Sequence, residues 1–220
     1  MPPGIQKASA WYRFARLALR VTFPAVWKVR VFGRCHEPEG GGVLYICNHQ
    51  SFLDPILVGF GLTRALNFMA RDSLFRFPGF GRLIRSVNAF PVRRGTADTG
   101  ALKEAMRRLK GSGQVVVFAE GTRTLDGRIG RLMPGVALLA QRAADWTVPV
   151  VIEGAFECWP RWQAIPCPGL ITVRYGQAIA KAEAAAMPPD AMLDRVRRTM
   201  IEIQADMRGR LGKRPLEYDR

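Results

Sequence analysis

His49 and Asp54 lie five residues apart, directly after a short apolar run at 43–47 that predicts a buried strand. On one continuous helix their side chains would point about 140° apart. If His49 lies in a loop and Asp54 in the first turn of a helix, the carboxylate can accept an imidazole proton, and the other ring nitrogen can act as a general base. Ser51 is a poor nucleophile because no G-x-S-x-G sequence surrounds it. A substrate hydroxyl could therefore supply the attacking oxygen.

The same residues also fit a purely structural role. Ser51 and Asp54 match a capping box, and Asp54 followed by Pro55 matches an N-cap with proline at the first helical position. His49 is one of two histidines, and it could equally be a hydrogen-bonded structural residue. The spacing alone supports the catalytic and the capping interpretation equally.

Two further predicted strands lead into arginine-containing loops, RRG at 93–95 and EGTR at 120–123. Loops that follow parallel strands meet at one edge of an α/β sheet, so we expect both loops near His49. The guanidinium groups of Arg94 and Arg123 offer a fork geometry that suits a phosphate group.

The remaining pattern predicts the elements that position these loops. Apolar runs typical of buried strands occupy 43–47, 90–92, 115–118, 148–152 and 170–175, and helical patterns occupy 56–62, 99–110 and 190–211. The 220 residues are enough for one domain with a sizeable core. This pattern predicts a single α/β domain with a mostly parallel central sheet flanked by helices.

The N-terminal segment, residues 1–36, interleaves aromatic residues with arginines. The arginines interrupt every apolar run well short of the ~20 residues needed to span a bilayer, and the segment does not resemble a cleaved signal peptide. This pattern predicts a basic amphipathic helical segment that is broken near Pro24 and lies in a membrane interface. A core-packing helix with snorkelling arginines fits equally well. Residues 64–92 also mix apolar side chains with arginines, a pattern that suits lipid contact or an ordinary half-buried surface.

The composition is strongly basic, with a formal net charge of +15. Such a surface attracts polyanions such as nucleic acid, an anionic membrane or a phosphorylated substrate. The four cysteines form no C-x-x-C pair and no ligand spacing with histidine, so neither a zinc site nor a disulfide framework is expected.

Four short blocks resemble those of the glycerolipid acyltransferases, specifically the 1-acylglycerol-3-phosphate acyltransferases. NHQSFLD at 48–54 resembles the NH-x-x-x-x-D block, and FAEGTRT at 118–124 resembles the FPEGTRS block. NAFPVRRG at 88–95 is similar to the G-x-I-x-x-x-R block, and VPVV at 148–151 matches the fourth. All four occur in the family's order, and the resemblance covers roughly residues 40–175.

The resemblance implies transfer of an acyl group from acyl-CoA or an acyl-carrier protein to the free hydroxyl of lysophosphatidic acid, giving phosphatidic acid. It implies His49 as the general base and Asp54 as the residue that orients it, with no metal and no further cofactor. The residues that it implies for substrate binding are Arg94, Glu120, Gly121, Thr122 and Arg123. Asn88, Arg93 and Ala119 depart from the family pattern, which leaves another lysolipid headgroup open.

We therefore expect residues 37–220 to form the catalytic domain and residues 1–36 to hold it on the cytoplasmic face of an anionic membrane, as a peripheral or monotopic protein. One alternative is a non-catalytic basic protein that binds membranes or nucleic acid. Nucleic acid is not expected, because no recognition signature for it is visible. Another alternative is a thioesterase or lipid hydrolase, in which water replaces the acceptor hydroxyl.

Overall fold

The computed structural model describes residues 8–93 and 98–218, and its secondary structure alternates strands with helices along most of the chain. The helices are α1 (Ala10–Thr22), α2 (Asp54–Val58), α3 (Pro78–Ser86), α4 (Thr99–Lys110), α5 (Gly135–Arg142), α6 (Ala155–Cys158), α7 (Lys181–Ala185) and α8 (Pro189–Arg210). The strands are β1 (Trp27–Phe32), β2 (Val43–Cys47), β3 (Leu66–Arg71), β4 (Ala89–Val92), β5 (Gln114–Phe118), β6 (Trp146–Glu153), β7 (Gly169–Tyr175) and β8 (Ile179–Ala180). Short 3-10 helices cover Phe23–Ala25, Arg34–His36 and Asp72–Arg76.

The strands of the described chain form one mixed, mostly parallel sheet in the order β1-β7-β6-β2-β5-β3-β4, with β8 paired to β6. Pairing is parallel between β1 and β7, β2 and β5, β2 and β6, β3 and β4, and β3 and β5. Only the pairs that β6 makes with β7 and β8 are antiparallel among the described strands. The predicted α/β fold with a mostly parallel central sheet flanked by helices is thus confirmed.

Strand β2 lies near the centre of the sheet and is buried on both faces. Leu44 and Ile46 pack into one hydrophobic cluster, which includes residues of α4, α5 and α8. Val43, Tyr45 and Cys47 pack into the cluster on the other face, which includes residues of α2. A strand covered on both faces needs a continuous apolar run rather than an alternating one, and this is the pattern that 43–47 shows.

Most sequence-predicted elements are confirmed, two of them with the same bounds. The strand at 43–47 and the helix at 99–110 match fully, and the other predicted strands and the C-terminal helix differ by one or two residues at their ends. The helix-like run at 56–62 was predicted too long, since α2 ends at Val58. A Cβ at Gly61 would lie 2.5 Å from the ring of Tyr175, so the chain passes too close to this ring for any other side chain.

The N-terminal helix α1 turns Arg16 and Arg20 towards the protein and several of its apolar side chains away from it. The Arg16 guanidinium donates to the carbonyl of Thr63 at 2.9 Å, and that of Arg20 donates to the carbonyl of Phe60 at 2.7 Å. Phe14 and Leu17 are each 61% exposed. Within the described residues, no helix has the length and apolar character needed to cross a bilayer.

Residues 27–32 form β1, which pairs with β7 and so belongs to the central sheet. The sequence had placed these residues in the amphipathic segment 1–36. The helical part of that segment, as far as the structure describes it, is α1 and the 3-10 helix Phe23–Ala25, which follows α1 where Pro24 was expected to break the helix.

Candidate active site

The carboxyl end of β2 delivers Asn48 and His49 to the edge of the sheet. The Asn48 side chain forms two hydrogen bonds with the backbone of Ile152 in β6: its amide donates to the carbonyl at 2.9 Å, and its oxygen accepts the N–H at 2.8 Å. These bonds continue the contact between β2 and β6 one residue beyond the strand pairing. The start of the loop that carries His49 is therefore fixed to the sheet.

His49 and Asp54 meet in the structure. Nδ1 of His49 lies 2.7 Å from Oδ2 of Asp54, and the carboxylate is fully buried while His49 is 7% exposed. The same Oδ2 accepts the backbone N–H groups of Gln50 at 2.6 Å and Ser51 at 2.7 Å. An ionised Asp54 accepts the Nδ1 proton, which leaves Nε2 with a lone pair. The pair has the geometry that a general base and its orienting carboxylate require.

The predicted capping is only partly present, since the N-cap of α2 is Leu53, which forms no side-chain capping hydrogen bond, and Asp54 is the first helical residue rather than the N-cap. The Ser51 hydroxyl accepts the N–H of Leu53 at 3.3 Å, while the Ser51 N–H donates to Asp54. Helix α2 then begins at Asp54 with Pro55 in its first turn. One oxygen of Asp54 therefore serves both the turn that precedes α2 and the imidazole of His49.

The imidazole ring of His49 stacks on the ring of Phe118 at the end of β5, with 4.3 Å between the ring centroids. This contact restricts the ring from a second direction. Together with the hydrogen bond to Asp54, it fixes the direction in which Nε2 points.

Glu120 joins the His49 loop to a second loop. Its Oε1 accepts the backbone N–H of His49 at 3.0 Å, and its Oε2 accepts the N–H of Gly130 at 2.9 Å. Burial raises the pKa of this carboxyl to about 7, although the two backbone hydrogen bonds act in the opposite direction. Both oxygens are thus engaged by the protein, and Glu120 contacts the site through the backbone that it holds.

The rest of the predicted EGTR loop lies beside His49. Gly121 has a φ of +71°, and its N–H donates to the Phe118 carbonyl at 3.0 Å, so glycine suits this tight turn. Thr122 is exposed, and the guanidinium carbon of Arg123 lies 3.5 Å from the centroid of the Phe52 ring. The next residue, Thr124, donates its N–H to the His49 carbonyl at 2.8 Å. Arg94, the other predicted binding residue, lies outside the described residues.

A cavity of about 420 Å³ adjoins this loop. Its lining includes the basic residues Arg123, Arg128, Arg161 and Arg197 and the acids Glu120 and Asp126. His49 is not among the described lining residues, but Glu120 lines the cavity and binds the His49 backbone. The excess of guanidinium groups suits an anionic ligand.

Sequence reasoning missed Arg161 and Arg197 as residues of the site. Arg161 lies between α6 and β7, and Arg197 lies in α8, far along the chain from the recognised blocks. No spacing in the sequence links either of them to the EGTR loop, so only the folded arrangement reveals that they line one cavity.

A sequence model of the acyltransferase family matches residues 28–153, which is more than half of the chain. The chain therefore belongs to the acyltransferase family, and the predicted enzyme class is confirmed.

The chain is similar in sequence or in structure to individual members of this family. The chain is 29% identical over 144 residues to the 1-acyl-sn-glycerol-3-phosphate acyltransferase of Bacillus subtilis, with 65% of this chain and 71% of the relative covered. It is 28% identical to a chloroplastic 1-acyl-sn-glycerol-3-phosphate acyltransferase of Arabidopsis thaliana, of which it spans 42%. The crystal structure of the 1-acyl-sn-glycerophosphate acyltransferase of Thermotoga maritima has the same fold, with a TM-score of 0.74 at 21% identity over 89% of this chain and 81% of the other.

Proposed function

We propose that this protein transfers a fatty acyl group from an acyl thioester to the free hydroxyl of lysophosphatidic acid and so produces phosphatidic acid. The observation that carries the proposal is the buried His49–Asp54 pair, with 2.7 Å between Nδ1 and Oδ2, beside a loop and cavity rich in arginine. Curated relatives named for this activity support the choice of acceptor.

In the proposed reaction, Nε2 of His49 takes the hydroxyl proton as the acceptor oxygen attacks the thioester carbonyl. Asp54 stabilises the imidazolium that forms, through the hydrogen bond at Nδ1. The tetrahedral adduct then collapses, the C–S bond breaks, and the imidazolium returns the proton to the leaving sulfur. The reaction needs no cofactor beyond the acyl donor, acyl-CoA or acyl-carrier protein.

The cavity and the EGTR loop would hold the phosphate of the acceptor. Arg123 lines the cavity together with Arg128, Arg161 and Arg197, and guanidinium groups bind phosphate oxygens through charge-assisted hydrogen bonds. Arg94 keeps its proposed role as a further phosphate ligand. In this proposal Glu120, Gly121 and Thr122 shape the loop that carries Arg123.

The apolar face of α1 would place the protein on the cytoplasmic face of a membrane. Trp11, Phe14, Leu17 and Val21 recur at steps of three or four residues and are exposed. The Trp11 indole donates to the Ser86 hydroxyl of α3 at 2.8 Å, which joins this face to the exposed Phe80 and Leu83. Such a surface suits the interface of an anionic bilayer, where the acceptor lipid resides.

The test follows both products of the reaction. Purified protein is given acyl-CoA or acyl-carrier protein and vesicles that contain lysophosphatidic acid, and thiol release is compared with phosphatidic acid formation by mass spectrometry. We expect stoichiometric phosphatidic acid, and a loss of about 10²–10⁴-fold in kcat in a folded His49→Ala variant.

Three results would contradict the proposal. Release of free fatty acid alone would identify a thioesterase or hydrolase. Transfer only to another member of a lysolipid panel would replace the headgroup. No transfer with either donor would contradict the proposed reaction itself.

A further inference from the structure

The C-terminal helix and the chain after it hold a loop of the candidate site. This loop, residues 127–130, follows the EGTR block and lines the basic cavity through Arg128, Ile129 and Gly130. Side chains of Arg197 and Gln204 in α8 and of Tyr218 beyond it all bond to its backbone. None of these three residues belongs to the blocks that define the family resemblance.

Tyr218 binds the loop through its hydroxyl group. The hydroxyl oxygen accepts the N–H of Ile129 at 2.9 Å and donates its own proton to Oε1 of Gln204. An N–H in a buried segment needs such a partner, because leaving it unpaired costs free energy. Ile129 is itself almost fully buried.

Gln204 is a polar residue on the apolar face of α8, between Met200 and Met207. Its amide donates to the carbonyl of Gly127 at 2.9 Å and to Oε2 of Glu153 at 3.0 Å. A buried amide is tolerated only when it is hydrogen-bonded. The bonds of Gln204 go to the cavity loop, to β6 and to Tyr218.

Arg197 holds the far end of the same loop. Its Nε donates to the Gly130 carbonyl at 3.1 Å and its Nη2 to the Ile129 carbonyl at 3.2 Å. Its guanidinium carbon also lies 5.6 Å from the centre of the Tyr218 ring. The N–H of Gly130, in turn, donates to Glu120, which accepts the N–H of His49.

We propose that Tyr218 is a positioning residue that, together with Gln204 and Arg197, holds the 127–130 loop in the shape needed to bind the acceptor headgroup. The inference rests on the proposed function insofar as it names the acceptor. The His49–Asp54 pair has its own hydrogen bonds, so loss of the Tyr218 hydroxyl should weaken acceptor binding more than the chemical step.

The test compares Tyr218→Phe, which removes only the hydroxyl, with Glu217→Gln at the exposed neighbouring position. Tyr218→Phe should raise the KM for lysophosphatidic acid about three- to tenfold, the effect of one lost hydrogen bond. Its kcat and its KM for the thioester should stay within about twofold of the parent values. Hydrogen exchange of a peptide covering 127–130 should become faster in Tyr218→Phe and not in Glu217→Gln.

Two outcomes would overturn the inference. One is a fall in kcat at unchanged acceptor KM together with a lower melting temperature, which would indicate a purely structural hydroxyl. The other is unchanged exchange of the 127–130 peptide. If the parent protein does not acylate lysophosphatidic acid, the proposed acceptor fails, and the exchange measurement still decides whether Tyr218 holds the loop.

Discussion

The charge of Asp54 can be removed with little change of shape by the substitution Asp54→Asn. An amide oxygen at the Oδ2 position can still accept from the His49 ring and from the N–H groups of Gln50 and Ser51. The amide nitrogen then takes the position of Oδ1, which is buried and has no hydrogen-bond partner among the described residues. An unpaired donor there should lower the free energy of unfolding by about 1–3 kcal/mol.

The catalytic effect should be larger than this loss of stability. A carboxylate beside an imidazolium contributes about 4 kcal/mol at a charge separation of about 4 Å and an effective dielectric constant of about 20. Losing that stabilisation when the proton reaches His49 should lower kcat about 10³-fold. In a His49→Ala background, Asp54→Asn should cost almost nothing more, since the two residues act as a unit.

The assay measures kcat at saturating donor and acceptor, with thermal unfolding of each variant as the check on folding. Asp194→Asn, at an exposed position of α8, is the matched control and should keep the parent kcat. A folded Asp54→Asn variant with kcat within tenfold of the parent would refute the reasoning, because the carboxylate charge would then be unnecessary. Additive losses in the double variant would show that the two residues act separately.

Other predictions address pH, the cavity and the membrane. The pKa of the Glu120 carboxyl is raised from 4.5 to about 7, because the folded state binds its proton more tightly than the unfolded state does. As the pH rises between these two values, the free energy of unfolding of the parent should fall by on the order of 3 kcal/mol relative to that of Glu120→Gln. Urea unfolding measured across this pH range tests the prediction, and the same pH dependence in both proteins would contradict it. Arg161→Gln should raise the acceptor KM about three- to tenfold and leave the donor KM unchanged. The control Arg198→Gln, on the exposed face of α8, should leave both KM values unchanged. An acceptor KM of Arg161→Gln equal to that of the parent would show that Arg161 does not contact the headgroup. Replacing both Phe14 and Leu17 by serine should lower the affinity for anionic vesicles, measured by co-sedimentation, at least about tenfold. Activity on a water-soluble short-chain acceptor should be retained. An unchanged affinity would argue against α1 as the face that contacts the membrane.

The sequence predicted the buried strand at 43–47, and it allowed the His49–Asp54 contact as one of two interpretations, for local reasons. The run 43–47 is continuously apolar and short, and Pro55 favours the first turn of a helix, where the carboxylate of Asp54 can reach back to the preceding loop. Strand β3 was not predicted, because its central residues are only partly buried and lie among arginines that suggested a lipid-facing surface. A local sequence pattern does not identify a strand whose side chains are only partly buried.

The cavity could not be predicted, because its residues come from distant parts of the chain. Arg161, Arg197 and Tyr218 line one cavity with the EGTR loop only in the folded chain, in which α8 packs on the sheet. Gln204 carried a weak signal as a polar residue within the apolar stripe of α8, but a sequence does not show which backbone such a residue serves. Burial and hydrogen bonding supply that information.

The outward apolar face of α1 has a consequence for how the reaction would be measured. A protein attached through this face meets its lipid acceptor by diffusion in two dimensions, and the acceptor need not leave the bilayer. The relevant concentration is then the mole fraction of lysolipid in the surface rather than its amount per volume. Adding vesicles of fixed composition would raise the number of bound enzyme molecules until all are attached, and the turnover of each attached molecule would stay the same.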